Sequence, residues 1–175
     1  MAKILDGRPL AQEIRSEVAA GVAEIQQKHG VTPGLAAVLV GDDPASAIYV
    51  RNKRRACAEV GMFSDSFTLP WDTDQGEVLA LLDQLNSDDR YHGILVQLPL
   101  PPQIDTQKII ESTNPSKDVD GIHPYNVGKL VQGRPDFIPG TPAGIQQILL
   151  RNGYDPAGQN VVVCGRSEIV GKPLA

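Results

Sequence analysis

The sequence predicts an α/β protein: a parallel-sheet, three-layer domain, with helices on both faces of the sheet, followed by the start of a second α/β unit. Two observations carry this reading. Short apolar runs closed by glycine or proline alternate with segments of helical periodicity, the pattern of βαβ units. One run, Leu35-Ala-Ala-Val-Leu-Val40, is apolar at every position, as a strand buried on both faces requires.

The elements follow in order. From Pro9 to His29, Leu10, Ile14, Val18, Val22 and Ile25 recur at helical spacing, and Gly30 is the stop. After the Leu35–Val40 strand, Asp43-Pro44 offers an N-cap and a proline for the first helical position, opening a helix that ends near Gly61. Met62 to Leu69 reads as a strand, Thr73 to Asn86 as a helix with Val78, Leu81, Leu82 and Leu85 inward, and Gly93 to Leu98 as a strand closed by Pro99. A short helix at Thr106–Glu111 leads to an irregular stretch through Asp118-Val119-Asp120-Gly121. Prolines and glycines cluster between Pro135 and Pro142, the expected boundary, so 1–139 reads as one domain and 140–175 as the beginning of another. There Thr141-Pro142 is expected to cap and open a helix, and Asn160-Val-Val-Val-Cys164 to form a strand entering Gly165-Arg166-Ser167. A βαβ unit takes about 30 residues or more, so a chain ending at Ala175 reads as a fragment with the second domain incomplete.

Composition narrows the function. Hydrophobic residues are 41% and charged residues 21%, with a formal net charge of −5. That mild acidity argues against a nucleic-acid or anionic-membrane surface. Cys57 and Cys164 make no disulfide framework and offer no metal spacing. The N-terminus, Met1-Ala-Lys-Ile-Leu-Asp-Gly, has no apolar leader and no run approaches a membrane span, so a reducing, cytoplasmic setting is expected.

Four features stand out as chemistry. Advancing about 100° per residue from Ile48, the residues Ala56, Tyr49, Val60, Cys57 and Val50 form one stripe, and Lys53 falls inside it. Lysine is rarely buried without a partner, so Lys53 is either a functional amine or a stem that snorkels along apolar surface. Tyr49, four residues earlier, is its neighbour on that face, whereas Arg51, Arg54 and Arg55 read as a solvated side. Gln97 interrupts an apolar strand near its carboxyl end, where open α/β sheets bind ligands; it is a site residue or a satisfied core amide. Asp118-Val-Asp120-Gly121 holds two carboxylates that could equally cap a turn. Gly165-Arg166-Ser167 with Gly171-Lys-Pro173 resembles a glycine-rich phosphate turn without the G-x-G-x-x-G spacing, or is simply a tight connection.

Taken in order, Ser46-x-x-Tyr49-Val-x-x-Lys53, Gly93-Ile-Leu-Val-Gln97-Leu-Pro-Leu-Pro101, Lys117-Asp-Val-Asp120-Gly121 and Gly165-Arg-Ser-x-x-Val170-Gly171-x-Pro173 resemble the motifs of the bifunctional methylenetetrahydrofolate dehydrogenase/cyclohydrolase family. The resemblance spans essentially the whole chain. One departure is Pro139-Gly140-Thr141-Pro142, where the family usually has Pro-Cys-Thr-Pro.

The resemblance implies two reactions of one-carbon folate metabolism: oxidation of 5,10-methylenetetrahydrofolate with NADP (NAD being possible), then hydrolysis of the methenyl cation to 10-formyltetrahydrofolate. It implies Lys53 as the proton-transfer group, Gln97 as its orienting partner and Tyr49 against the folate rings. Val96 and Leu98 would flank the substrate, and Asp120 would meet the donor edge of the pterin. Gly165, Arg166 and Ser167 would meet the phosphates of a dinucleotide in a Rossmann-like second domain, with Thr141 near the nicotinamide. A homodimer, tetrahydrofolate derivatives as ligands, and no metal, nucleic-acid or membrane partner complete these expectations. Two rivals are a folate-binding fragment without activity and a non-catalytic α/β interaction module.

Overall fold

The computed structural model describes residues 3–175; Met1 and Ala2, the first positions of the N-terminal reading, lie outside them. The elements run α1 (Gly7–His29), β1 (Gly34–Val40), α2 (Pro44–Glu59), β2 (Phe63–Leu69), α3 (Gln75–Ser87), β3 (Gly93–Val96), α4 (Thr106–Ser112), α5 (Pro124–Val131), α6 (Gly140–Arg151) and α7 (Gly171–Leu174). They form two compact units, one of Arg15–Val119, the other of the segment ending at Ile14 together with Asp120–Ala175.

In the Arg15–Val119 unit the sheet has the order β2-β1-β3. β1 pairs in parallel with both neighbours, Gly34 opposite Phe63 and Leu35 opposite Gly93. Its central place explains its composition: every residue of β1 is buried. Because side chains alternate along a strand, Ala36, Val38 and Val40 join Val78, Leu82 and Leu85 of α3, Ile94 and Val96 of β3, and Ile109 of α4 on one face. Leu35, Ala37 and Leu39 point to the other face, where Cys57 and Val50 of α2 meet them. The layers are thus helix, sheet, helix. Leu82, Val78 and Ile109 retain no exposure, and each such side chain contributes roughly 1.5–3 kcal/mol by leaving water.

The parallel βαβ arrangement sets where chemistry can sit. α2 leaves the carboxyl end of β1 and returns across the sheet, and side chains on a helix lean toward its N-terminus. Long side chains on α2 therefore reach toward the carboxyl edge of the strands.

In the other unit, the first turns of α1 join the later helices through Glu13, whose Oε1 lies 3.1 Å from Arg151 Nη1. Lys3 Nζ lies 5.8 Å from the centre of the Tyr154 ring. One element stands where the sequence reading places none: α5 begins at Pro124, with His123 Nδ1 accepting from Tyr125 N at 3.0 Å as its cap. Two expectations are corrected. Thr141 does not cap α6; the helix begins at Gly140, and the Pro139 carbonyl accepts from Ala143 N at 3.1 Å. Thr141 instead stands exposed in the first turn. Residues 160–164 form no strand, and Val161 and Val162 are 61% and 86% exposed. A strand is held by a neighbouring ladder, and among the described residues no strand lies beside this segment.

Candidate active site

The sharpest feature is built on α2. Asp43 caps the helix, its carboxylate accepting from Ser46 N at 2.7 Å, and Pro44 takes the first turn where a missing N–H costs nothing. The Ser46 main-chain N–H, and then its hydroxyl, hold the Asp43 carboxyl below the usual carboxylate range. Val50 and Cys57 are buried against β1, and Lys53 lies between them on the same face, half-buried. Arg51, Arg54 and Arg55 are exposed, as the spacing predicts. Burial raises the Cys57 thiol above its ordinary value, which keeps it protonated and marks it as packing, not as a nucleophile.

Lys53 does not simply run out to solvent. Its Nζ donates to Gln97 Oε1 at 3.3 Å. Gln97 stands one residue beyond the last strand residue, Val96, so β3 is shorter than the apolar run implies. The residue is nevertheless anchored: its main-chain N–H donates to Val38 O at 2.8 Å. Its side-chain Nε2 donates to Leu98 O at 2.8 Å, which turns Oε1 toward Lys53 and fixes which way the amide faces. An ammonium and an oriented amide thus meet at the carboxyl edge of a parallel sheet. This pair can hold or move a proton at a group bound beside it.

Val96 is buried at the end of β3, and Leu98 is half-buried before a cis Leu98–Pro99 peptide bond. Tyr49 departs from the stripe reading: the residue is 60% exposed, one turn before Lys53, because α2 buries only the narrower face defined by Ser46, Val50 and Cys57. An exposed aromatic residue one helical turn from Lys53 offers a stacking surface to a flat ligand. Asp118 is 4% exposed and pairs with Ile94 as an isolated parallel bridge. Asp120 begins the other unit and is half-buried.

In that unit, Gly165, Arg166 and Ser167 form an exposed turn. Ser167 Oγ accepts from Val170 N at 3.2 Å and Gly171 N at 3.3 Å, and Ser167 O accepts from Lys172 N at 2.9 Å. The turn closes on itself so tightly that a Cβ on Gly171 would lie 2.4 Å from Gly165 O. A glycine-tight turn presenting a guanidinium and a hydroxyl suits a phosphate. Sequence reasoning left Ser46 and Lys117 without roles, although both stand in the quoted motifs. A serine only 4% exposed in a helix's first turn is the signal for the former; Lys117 bonds to residues far back in the chain, which no local pattern shows. Among the described residues no helix is long and apolar enough to cross a membrane.

Comparison with known proteins agrees with this geometry. Residues 5–120 match the family model for the tetrahydrofolate dehydrogenase/cyclohydrolase catalytic domain, and residues 139–175 that for the NAD(P)-binding domain of the same family. The bifunctional protein FolD of Geotalea uraniireducens is 57% identical over 175 residues, 100% of this chain and 62% of that protein. The bifunctional methylenetetrahydrofolate dehydrogenase/cyclohydrolase structure from Campylobacter jejuni superposes with a TM-score of 0.95 at 45% identity, covering 99% of this chain and 61% of the other. The corresponding Trypanosoma brucei structure, complexed with NADP cofactor and an inhibitor, gives 0.94 at 37% identity over 99% of this chain and 60% of its own. The chain thus spans about three fifths of the length of the relatives it matches. Matched by both family models across most of its length, this chain belongs to the tetrahydrofolate dehydrogenase/cyclohydrolase family.

Proposed function

We propose that this chain carries the folate chemistry of a bifunctional enzyme that oxidises 5,10-methylenetetrahydrofolate to the methenyl form and hydrolyses that cation to 10-formyltetrahydrofolate. The observation that carries the reading is the Lys53–Gln97 pair, 3.3 Å apart at the carboxyl edge of the sheet. Hydrolysis of the methenyl cation needs proton transfer at water and at a ring nitrogen. A half-buried amine with an oriented amide partner supplies it. Gln97 orients Lys53, Tyr49 offers its exposed ring to the folate ring system, and Val96 and Leu98 flank the pair. Asp120 is assigned to the donor edge of the pterin, as an acceptor-only carboxylate allows.

The oxidation asks mainly for alignment, because loss of hydride leaves a cation already stabilised by two nitrogens. NADP, or NAD in its place, accepts that hydride when bound. Gly165, Arg166 and Ser167 are the residues whose tight turn fits its phosphates, and Thr141, exposed in the first turn of α6, is assigned to the nicotinamide side. On the same reading 1–139 is the folate domain and 140–175 part of the dinucleotide domain. We also propose a homodimer in the cytoplasm that uses neither nucleic acid nor membrane. Family resemblance supports this.

The test is direct. Purified chain is offered 5-formyltetrahydrofolate, a stable reduced folate, in a binding titration, and 5,10-methenyltetrahydrofolate in a hydrolysis assay followed by its absorbance. Saturable binding with hydrolysis faster than in buffer is expected. Absence of both in folded protein overturns the reading.

A further inference from the structure

Lys117 is the one basic residue of the motif Lys117-Asp-Val-Asp120-Gly121, and the proposed chemistry gives it no task. Yet the residue is held at every polar group it has. Its main-chain N–H donates to Asn114 O at 2.8 Å, and its carbonyl accepts from Ile94 N of β3 at 2.7 Å. Its half-buried side chain crosses to the end of α3, where Nζ donates to Leu85 O at 3.1 Å and Asp88 O at 3.0 Å. These are carbonyls that the helix's own ladder leaves over at its C-terminus, and the helix dipole favours a cation there.

The bonds form part of a wider clamp. Asn86, also on α3, donates to Ser112 O at 2.8 Å and accepts from Asn114 N at 2.8 Å. α3 thereby grips the segment 112–117 at both ends. The next residues are fixed in turn: Asp118 forms the bridge to Ile94, and Val119 packs over Gly93. A Cβ on Gly93 would lie 2.4 Å from Val119 Cγ1, so the absence of a side chain on β3 lets the segment lie flat against the strand. A stretch the sequence reads as irregular is an extra rung on β3, locked to α3 by an ammonium. Asp120 is the first residue after this rung.

We propose that Lys117 is a positioning residue: by tying the C-terminal carbonyls of α3 to the rung on β3, its ammonium sets where Asp120 is presented to the ligand. The proposal rests on the reading of Asp120 as a pterin-binding residue. A carboxylate in a two-point hydrogen bond is useful only when its backbone is held within a fraction of an ångström. A rung that ends at Val119, pinned from two elements, provides that.

The test is a double-mutant cycle on affinity for 5-formyltetrahydrofolate, with Lys117→Met, Lys117→Arg, Asp120→Asn and the Lys117→Met/Asp120→Asn pair. Lys117→Met should weaken binding by about tenfold or more, equivalent to about 1.4 kcal/mol. Lys117→Arg, which keeps the charge and donors, should recover most of that loss. Once Asp120 is already Asn, Lys117→Met should add less than about twofold, the scatter within which independent sites are additive. Fully additive losses, or a Lys117→Met variant binding like the parent while Asp120→Asn does not, overturn the proposal. A parent that binds no reduced folate overturns the functional reading beneath it, a separate outcome. Should Lys117→Met fail to fold, Lys117→Gln, neutral and too short to reach both carbonyls, is read by the same criteria.

Discussion

Replacing Gln97 by leucine isolates the amide that orients Lys53. The substitution removes the bond from Nε2 to Leu98 O at 2.8 Å and the bond accepted from Lys53 Nζ at 3.3 Å. It leaves the main-chain bond from Gln97 N to Val38 O at 2.8 Å, so the sheet pairing survives. A neutral side-chain hydrogen bond contributes about 0.5–1.5 kcal/mol net, and one to a charged group about 1.5–3. The lysine bond is long, and both side chains are only half-buried, so water replaces much of what is lost. Added apolar burial by leucine offsets part of the rest. The expected stability cost is therefore about 1–2 kcal/mol, read as a lower urea midpoint with an unchanged m-value. The catalytic cost should be larger in proportion, because an amine no longer held at its station loses alignment: roughly a 10–100-fold fall in methenyltetrahydrofolate hydrolysis. Urea denaturation and hydrolysis are measured on one preparation. A variant that loses the stated stability yet hydrolyses within about threefold of the parent, well short of the expected loss, would show that Gln97 is a core amide and that the pair has no chemical role.

Two further outcomes follow from packing and titration. Gly93→Ala should cost about 1–3 kcal/mol through overpacking against Val119 Cγ1, which a Cβ would approach to 2.4 Å; Val119→Ala in the same chain should restore most of it, and no recovery in a denaturant titration would place the clash elsewhere. Tyr91 is buried, and burial first, then the hydrogen bond it donates to Asp65 Oδ2 at 2.7 Å, push its phenol from 10.0 up to about 12. The folded state holds that proton more tightly than the unfolded chain, so the contribution is complete below pH 10 and is lost as pH rises toward 12. Tyr91→Phe should flatten the alkaline limb of the stability profile over that interval, and an unchanged slope would contradict the assignment.

The fold was legible where one physical requirement dominates a segment. Leu35–Val40 has no polar residue because β1 is the middle strand with a helix layer on each face. Asp43-Pro44 marks the start of α2 because capping and the proline ring act within one turn. Lys53 stood out for the same reason: a charge inside an apolar stripe has to be answered by something, and Gln97 answers it. What stayed hidden depends on distant partners. The exposure of Tyr49 reflects how wide a face α2 presents to β1, which periodicity does not measure. Val161 and Val162 have strand propensity but no ladder beside them among the described residues. Lys117 could be read as a solvated charge in a turn, since the carbonyls of Leu85 and Asp88 that hold it lie about 30 residues earlier. Thr141 resembled a cap because threonine is a favoured N-cap residue and proline a favoured first helical residue; the Pro139 carbonyl starts the helix instead.

The central claim is that Lys53 moves a proton and is not merely a stem laid along the apolar face of α2. Lys53→Met tests it most directly, because methionine keeps the length and the packing between Val50 and Cys57 while removing the amine. Methenyltetrahydrofolate hydrolysis is measured beside folate affinity, with circular dichroism to confirm the fold. The expected result is a hydrolysis rate lower by the order of 10²–10⁴, the loss typical of a general acid–base group, with affinity changed far less. A folded variant hydrolysing within about threefold of the parent, where proton transfer requires a loss of at least a hundredfold, would contradict the account and leave Lys53 a packing residue.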